Sequence, residues 1–197
     1  MARSNTEERQ TQIINEAILI IHEQGYQALA IRELAGRVGV SEPALYRHFE
    51  NKEGIILGIL NRMWQQGLLL EKQLAGFSNP KEKFRNLISM QLDYLEKHPQ
   101  MTSVVFSEEI FRHSDSLSRK MEQVIDYRLL LIKRLIDESK SRYTVVDVPT
   151  DELSIIILGS VRMAVRAWRC ANFSYSLRKK GKRLLDTLDK MIFVRTE

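Results

Sequence analysis

One cysteine, Cys170, in a chain of 197 residues leaves no partner for an intramolecular disulfide and fits a reducing compartment. Such a residue reads as a small buried hydrophobe before it reads as a redox group. The four prolines fall at helix starts or in loops, and nine glycines are too few for a turn-rich all-β chain. No apolar run approaches the ~20 residues that cross a bilayer. The first ten residues, MARSNTEERQ, lack the apolar stretch of a signal peptide, so the expectation is a cytoplasmic protein with no membrane partner. Core material is plentiful: at 44% hydrophobic residues, the chain can bury one large or two small domains.

Charge of one sign is also scarce where a simple nucleic-acid argument wants it. Residues 1–52 hold six Lys/Arg against seven Asp/Glu, and residues 53–161 hold fourteen against fifteen. Residues 162–195 hold ten against two, so the net charge of +5 comes from the far end of the chain. The basic stretch within 162–183 reads as a solvated face before it reads as a surface for an acidic partner or an additional nucleic-acid contact, and overall charge argues nothing about DNA.

Apolar periodicity makes helices throughout. The first runs from about Thr6 to Gln24, with Ile13, Ile14, Ala17, Ile18 and Ile21 on one stripe and Gly25 ending it. A long helix, 52–75, is capped by Asn51. Asn79, Pro80 and Glu82 form a cap, first helical position and capping-box acid for the next, which stops before His98-Pro99. Further helices are expected over 101–113, from 115 to about 142, over 150–172 and over 177–193. Residues 143–148 are β-branched but have no second strand to pair with, so they read as an extended loop.

The most informative segment is IRELAGRVGVSEPALYRHFENKEG, residues 31–54. Ile31, Leu34, Ala35 and Val38 make a short amphipathic helix, and Gly39 ends it because glycine takes the left-handed conformation without a Cβ penalty. Ser41 caps a second short helix, Glu42 to Phe49, which buries Leu45 and turns Pro43, Ala44, Arg47 and His48 outward. Two short helices about a tight glycine turn are a helix-turn-helix, whose second member enters the DNA major groove. GVSEPALYRHFENKEG also resembles the signature of the TetR family of transcriptional regulators: GVS, then LYxxF, then a Lys-Glu pair. The match is specific within Val38–Glu53 and spans roughly residues 9–62.

The resemblance implies an all-α protein of about nine helices. A three-helix DNA-binding domain would cover 1–51, and a helical bundle for ligand binding and dimerisation 52–197, with helix 52–75 linking them. It implies a homodimer on a palindromic operator, with reading heads about 34–36 Å apart, and repression relieved by a small, mainly apolar effector. The expected DNA contacts are Ser41, Pro43, Ala44, Tyr46, Arg47, His48 and Lys52, with Tyr46 and Lys52 at phosphate-contacting family positions. Two residues depart from the pattern. Glu42 stands where a basic or neutral residue is common and reads as serving the helix N-terminus. Ala30 stands where a capping Ser or Thr is frequent, a loss of about 1 kcal/mol.

In the second half, Phe84, Leu87, Met90, Tyr94, Phe106, Phe111, Met121, Ile125, Met163 and Trp168 populate apolar helix faces. Such residues are core first; the resemblance implies that Phe84, Met90, Tyr94, Phe106, Phe111, Met121, Ile125, Arg128, Met163 and Trp168 border the effector. Arg128 interrupts the apolar seam Leu117, Met121, Val124, Leu131, Leu135, and it needs a carboxylate, a ligand anion or an exit to solvent. Leu153, Ile156, Ile157, Gly159, Ser160 and Ala164 are the expected dimer contacts. Glu109 and His113 share helical spacing, but without a third ligand in sequence they read as a surface pair. Nothing composes a nucleophile with its base, so neither catalysis, a metal nor another cofactor is expected. GVSEPALYRHF and the stretch after His98-Pro99 also resemble the nucleoid-occlusion branch of the family, which leaves a DNA-bound interaction protein without an inducer as the alternative.

Overall fold

The computed structural model describes residues 2–112 and 114–194. Helices dominate: α1 Ala2–Gln24, α2 Ile31–Val38, α3 Glu42–Tyr46, α4 Lys52–Leu74, α5 Pro80–Lys97, α6 Met101–Val105, α7 Glu108–Phe111, α8 Asp115–Ser139, α9 Thr150–Cys170 and α10 Leu177–Ile192. A 3-10 turn, Tyr26–Ala28, joins α1 to α2. The described residues thus hold ten α-helices where nine are expected, because the segment 101–113 is broken. Phe106 leaves helical geometry and Ser107 is extended, ahead of the acidic start of α7 at Glu108 and Glu109.

The chain divides into two compact units. One comprises residues up to Trp64 together with Gln100–Glu122; the other comprises Gln65–Pro99 and Gln123–Glu197. The expected boundary at residue 51 therefore falls inside the first unit, and α6, α7 and the start of α8 belong with the N-terminal helices. His113, half of the weighed Glu109–His113 pair, lies outside the described residues.

In the first unit, Ile13, Ile14, Ala17, Ile18 and Ile21 of α1 are buried, as the stripe requires. α1 packs on α2 and on α6, where the His22 ring nitrogen Nδ1 and the Ser103 hydroxyl lie 2.9 Å apart. Ile55, Ile56, Ile59 and Leu60 of α4 complete this core. Gly58 permits close approach: a Cβ there would stand 3.0 Å from Phe49 and 3.1 Å from Ile14.

In the second unit α10 packs against α5 and α9. Gly181 is the point of closest approach, since an added Cβ would lie 2.2 Å from a methyl of buried Leu92. Arg85 of α5 reaches Asp186 and Asp189 of α10, both at 2.8 Å. Between α9 and α10 the chain turns through Asn172 and Phe173 at positive φ, unusual for Phe, whose ring meets Trp168 edge-on at 4.7 Å. Residues 143–148 do find a partner, the end of the described chain. Val145 bridges Phe193, with Val146 N–H donating to Ile192 and Val194 N–H to Thr144, each at 2.9 Å. Cys170, read as a buried hydrophobe, is exposed at the last turn of α9.

The start of α5 carries a full side-chain cap. The Asn79 carbonyl oxygen accepts from Lys81 N–H at 2.9 Å and Glu82 N–H at 3.4 Å, while its amide donates to the Tyr143 hydroxyl at 2.6 Å. Asn79→Ala should therefore lower stability by about 1–2 kcal/mol, measured by denaturant unfolding, with Asn79→Asp retaining most of it.

Candidate nucleic-acid interface and effector region

The reading head is built from burial at a corner. Leu34, Ala35 and Val38 of α2 and Leu45 of α3 are buried. Gly39 ends α2 in the left-handed conformation, φ 72°, its N–H turned back to Ala35 and Gly36, and Val40 N–H reaches Ala35 at 3.0 Å. Ser41 is extended, and its hydroxyl accepts from Ala44 N–H at 3.3 Å. Pro43 sits in the first turn of α3, where its missing N–H costs nothing. Ala30 offers α2 no side-chain bond.

These constraints leave Ser41, Pro43, Tyr46 and Arg47 exposed on one short element, with Tyr46 49% accessible. That set combines an apolar ring with a hydroxyl, a guanidinium and a compact proline, side chains able to meet a groove and its phosphates. Ala44 and His48 are only half-buried rather than open. The His48 Nδ1 is closed to solvent without a hydrogen-bond partner among the described residues, and its carbonyl accepts from Gln10 at 3.4 Å. α3 ends at Tyr46, one turn short of the expected Phe49, so Arg47 is its C-cap rather than a mid-helix residue.

Lys52, expected at a phosphate-contacting position, is half-buried, donates from Nζ to the Tyr26 carbonyl at 2.9 Å and lies 3.9 Å above the Tyr26 ring. Burial holds its pKa below the ordinary lysine value. The head of α4 is thereby tied to the turn after α1. Beside it, the Ser114 hydroxyl donates to Glu53 at 2.8 Å while accepting from Leu117 N–H at the start of α8. Sequence reasoning missed these ties, because nothing in the pattern marks Tyr26 or Ser114 as partners of α4. Arg37, also unremarked, bonds Glu23 at 2.8 Å and Glu33 at 3.0 Å, which raises its pKa.

The expected effector-lining residues fall in both units. Phe106, Phe111 and Met121 belong to the first unit. Phe84 and Trp168 are core of the second: Phe84 is fully buried and packs edge-on with Phe193, and Trp168 donates to the Tyr175 carbonyl at 2.7 Å. Met163 is 64% exposed on the outer face of α9, so it borders no interior. Met90, Tyr94, Ile125 and Arg128 remain half-buried in the second unit. Tyr94 acts electrostatically on Arg128, whose pKa is lowered by burial. Gly67, missed in the sequence, makes room: a Cβ there would meet Tyr127 at 3.1 Å and the Arg128 Cζ at 3.5 Å.

The expected dimer contacts also divide. Leu153 and Ile157 share the inward stripe of α9 with Val161, Val165 and Trp168, and they are buried within the unit. Ile156 and Gly159 face outward with Ile155 and Met163, while Ser160 and Ala164 lie at the edge of that face. One face of α9 is thus apolar and open. Among the described residues no cluster of three or more His, Cys, Asp or Glu could hold a metal.

Comparison with known proteins agrees at both ends of the chain. Residues 13–59 match the family model for bacterial regulatory proteins, tetR family, and residues 61–190 match the model for the C-terminal region of YsiA-like protein. The nucleoid occlusion factor SlmA of Photobacterium profundum is 25% identical, over 89% of this chain and 91% of its own. Among solved structures, the transcriptional regulator FadR from Bacillus subtilis, in complex with stearoyl-CoA, superposes with a TM-score of 0.81 at 24% identity, covering 92% of this chain and 98% of its own. The ketosteroid transcriptional regulator KstR2 of Mycobacterium tuberculosis gives 0.78 at 18% identity, covering 95% and 96%.

The Glu71 carboxylate is held below its ordinary range, first by the Tyr127 hydroxyl and then by Arg134, which bonds it at 2.6 Å. A depressed carboxylate contributes stability that is complete above its unfolded value, near 4.5, and lost as pH falls through the lower folded value. Glu71→Gln should therefore flatten the fall in Tm below that pH and leave its slope above neutrality unchanged, read by thermal melts across a pH series.

Proposed function

The chain belongs to the tetR family of bacterial regulatory proteins, and we propose that it works as a homodimeric repressor released from its operator by a small, mainly apolar ligand. As a member of that family it is a DNA-binding transcription regulator, not an enzyme. The observation that carries the proposal is the exposed Ser41, Pro43, Tyr46 and Arg47 set on a helix whose own apolar residue, Leu45, is completely buried. Arg47 reads a base edge, Tyr46 anchors on phosphate, and Lys52 acts from within by holding α4 to the turn at Tyr26.

Twofold pairing uses the open face of α9. Ile155, Ile156 and Met163 supply apolar area there, and nothing lies within 4 Å of a Cβ placed on Gly159. A second copy of this face would remove that area from water and set two reading heads in the symmetry of a palindrome. Ligand control is supported by the matching C-terminal family model and by the FadR likeness, a protein solved with stearoyl-CoA. The helix α4 has residues in both units and is the covalent route by which a ligand-dependent shape reaches the reading head. Release then equals the difference in ligand affinity between the two shapes.

The likeness to SlmA favours a second reading, a DNA-bound interaction protein without an inducer. Selection of genomic fragments by the purified protein separates the two. One or a few palindromic sites beside its own gene mark the repressor, and many dispersed sites mark the alternative.

On the selected site, Arg47→Ala should cost about 1–3 kcal/mol and relax sequence preference. Lys52→Met should lower thermal stability while leaving the salt slope of DNA binding unchanged, since its charge is spent inside the protein. Fluorescence anisotropy over a salt series reads both, and an equal loss on specific and random DNA for Arg47→Ala would contradict base reading. Met163→Glu should yield monomers in sedimentation and reduce binding to a two-half-site DNA far more than to a single half-site.

A further inference from the structure

We propose that Gly36 is the point on α2 over which a DNA strand passes, and that Arg32, one turn earlier on the same face, takes a phosphate of that strand. The proposal rests on the reading of α2 and α3 as the DNA-binding corner and adds to it what holds the first helix at the strand. A first helix that crosses the backbone is general to the motif; which residues of this chain set the approach is not.

Gly36 has no reason inside the fold. Glycine is the least favourable helix residue after proline, yet Gly36 lies within the eight-residue α2. Its backbone is not left-handed: the positive-φ glycines among the described residues are Gly25 and Gly39, and it is Gly39 that ends the helix. Nor does it make room for a neighbour. At Gly58, Gly67 and Gly181 an added Cβ would meet a side chain at 3.0, 3.1 and 2.2 Å respectively. Gly36 is exposed, and a Cβ there would meet nothing within 4 Å. Gly159 is in the same position, on the α9 face proposed above to meet a second copy. A helical glycine that faces open space in the single chain is accounted for by something that comes close from outside.

The occupant follows from charge. DNA affinity comes chiefly from neutralised phosphates. Of the five Lys and Arg in residues 6–52, three are engaged: Arg9 with Gln12 at 2.7 Å, Arg37 with Glu23 and Glu33, and Lys52 with the Tyr26 carbonyl. Arg32 and Arg47 are exposed and make no ion pair among the described residues. Arg32 and Gly36 are four residues apart and so share a face; with Ala30, Glu33 and Arg37 they line an open depression of about 490 Å³. The acid in it, Glu33, is paired with Arg37 at 3.0 Å. Helical side chains lean toward the N-terminus, so any side chain at 36 would lie over the turn that carries Arg32. Its absence keeps that ground clear for a sugar-phosphate strand.

The full-length protein would be measured by fluorescence anisotropy on its selected site and on random duplex over a salt series, beside thermal melts. Gly36→Ala should raise Tm by about 2–4 °C, because alanine is the better helix former and has room. The same change should weaken binding to both DNAs by about tenfold, and Gly36→Leu should weaken it further. Arg32→Ala should weaken the two DNAs equally and reduce the salt slope by about one, while Arg32→Lys restores the slope. A glycine needed by the fold would lose stability and binding together, so a gain in one joined to a loss of the other marks the external contact.

A Gly36→Ala protein that binds DNA like the unaltered one, or that melts lower, overturns the proposal, as does an unchanged salt slope in Arg32→Ala. The alanine variant carries the test if the leucine variant fails to fold. A loss seen in Arg47→Ala and absent from the variants at 32 and 36 refutes this proposal alone, whereas an unaltered protein that selects no DNA site sinks the reading of the corner with it.

Discussion

At eight and five residues, α2 and α3 are too short to persist as isolated helices in water. Their geometry depends on the burial of Leu34, Ala35, Val38 and Leu45 in a core shared with α1 and α4. The corner between them adds local constraints: a left-handed Gly39, a capping Ser41 and a proline in the first turn. With one side of this pair consumed by packing, the other has a single direction left, and that is where Pro43, Tyr46 and Arg47 stand. The exposed surface proposed to read DNA is a by-product of how the corner is buried. A fault in the α1 stripe would misplace it as surely as a change in the surface itself.

The same economy governs the head of α4. Lys52 adds its charge to a carbonyl and an aromatic face rather than to solvent, and Glu53 accepts from Ser114, which also caps α8. The start of α4 is thus held by the turn after α1 and by the start of α8. α4 and α8 are also the helices that have residues in both compact units. Both helices run on from the first unit into the second and are held at their N-termini within the first.

Several charged residues of the second unit are paired locally. Arg85 takes two carboxylates of α10, Lys133 pairs with Asp151 at 2.7 Å, and Arg134 pairs with Glu71. Partly exposed pairs of this kind contribute little each, about 0–1 kcal/mol. Arg128 differs because its Nη1 is closed to solvent with no hydrogen-bond partner among the described residues. The exception stands out only against that background of pairing.

The amino-acid pattern alone carried the helical class, the spans of α2, α4, α5 and the stripe of α1, the glycine turn and the Ser41 cap. These follow from interactions within a few residues: periodicity, caps and backbone permissiveness. The break between α6 and α7 was hidden because a β-branched and aromatic run is compatible with either a helix or its interruption. The bridge from Val145 to Phe193 was hidden because its partner lies nearly fifty positions away. Which side of α9 faces in was decided by packing: two adjacent apolar stripes compete, and Leu153 and Ile157 won burial while Ile155, Ile156 and Met163 did not. The inward turn of Lys52 and the stranded end of Arg128 belong to the same class. A charge seeks whatever acceptor the folded chain brings near it, and tertiary structure alone determines which one that is.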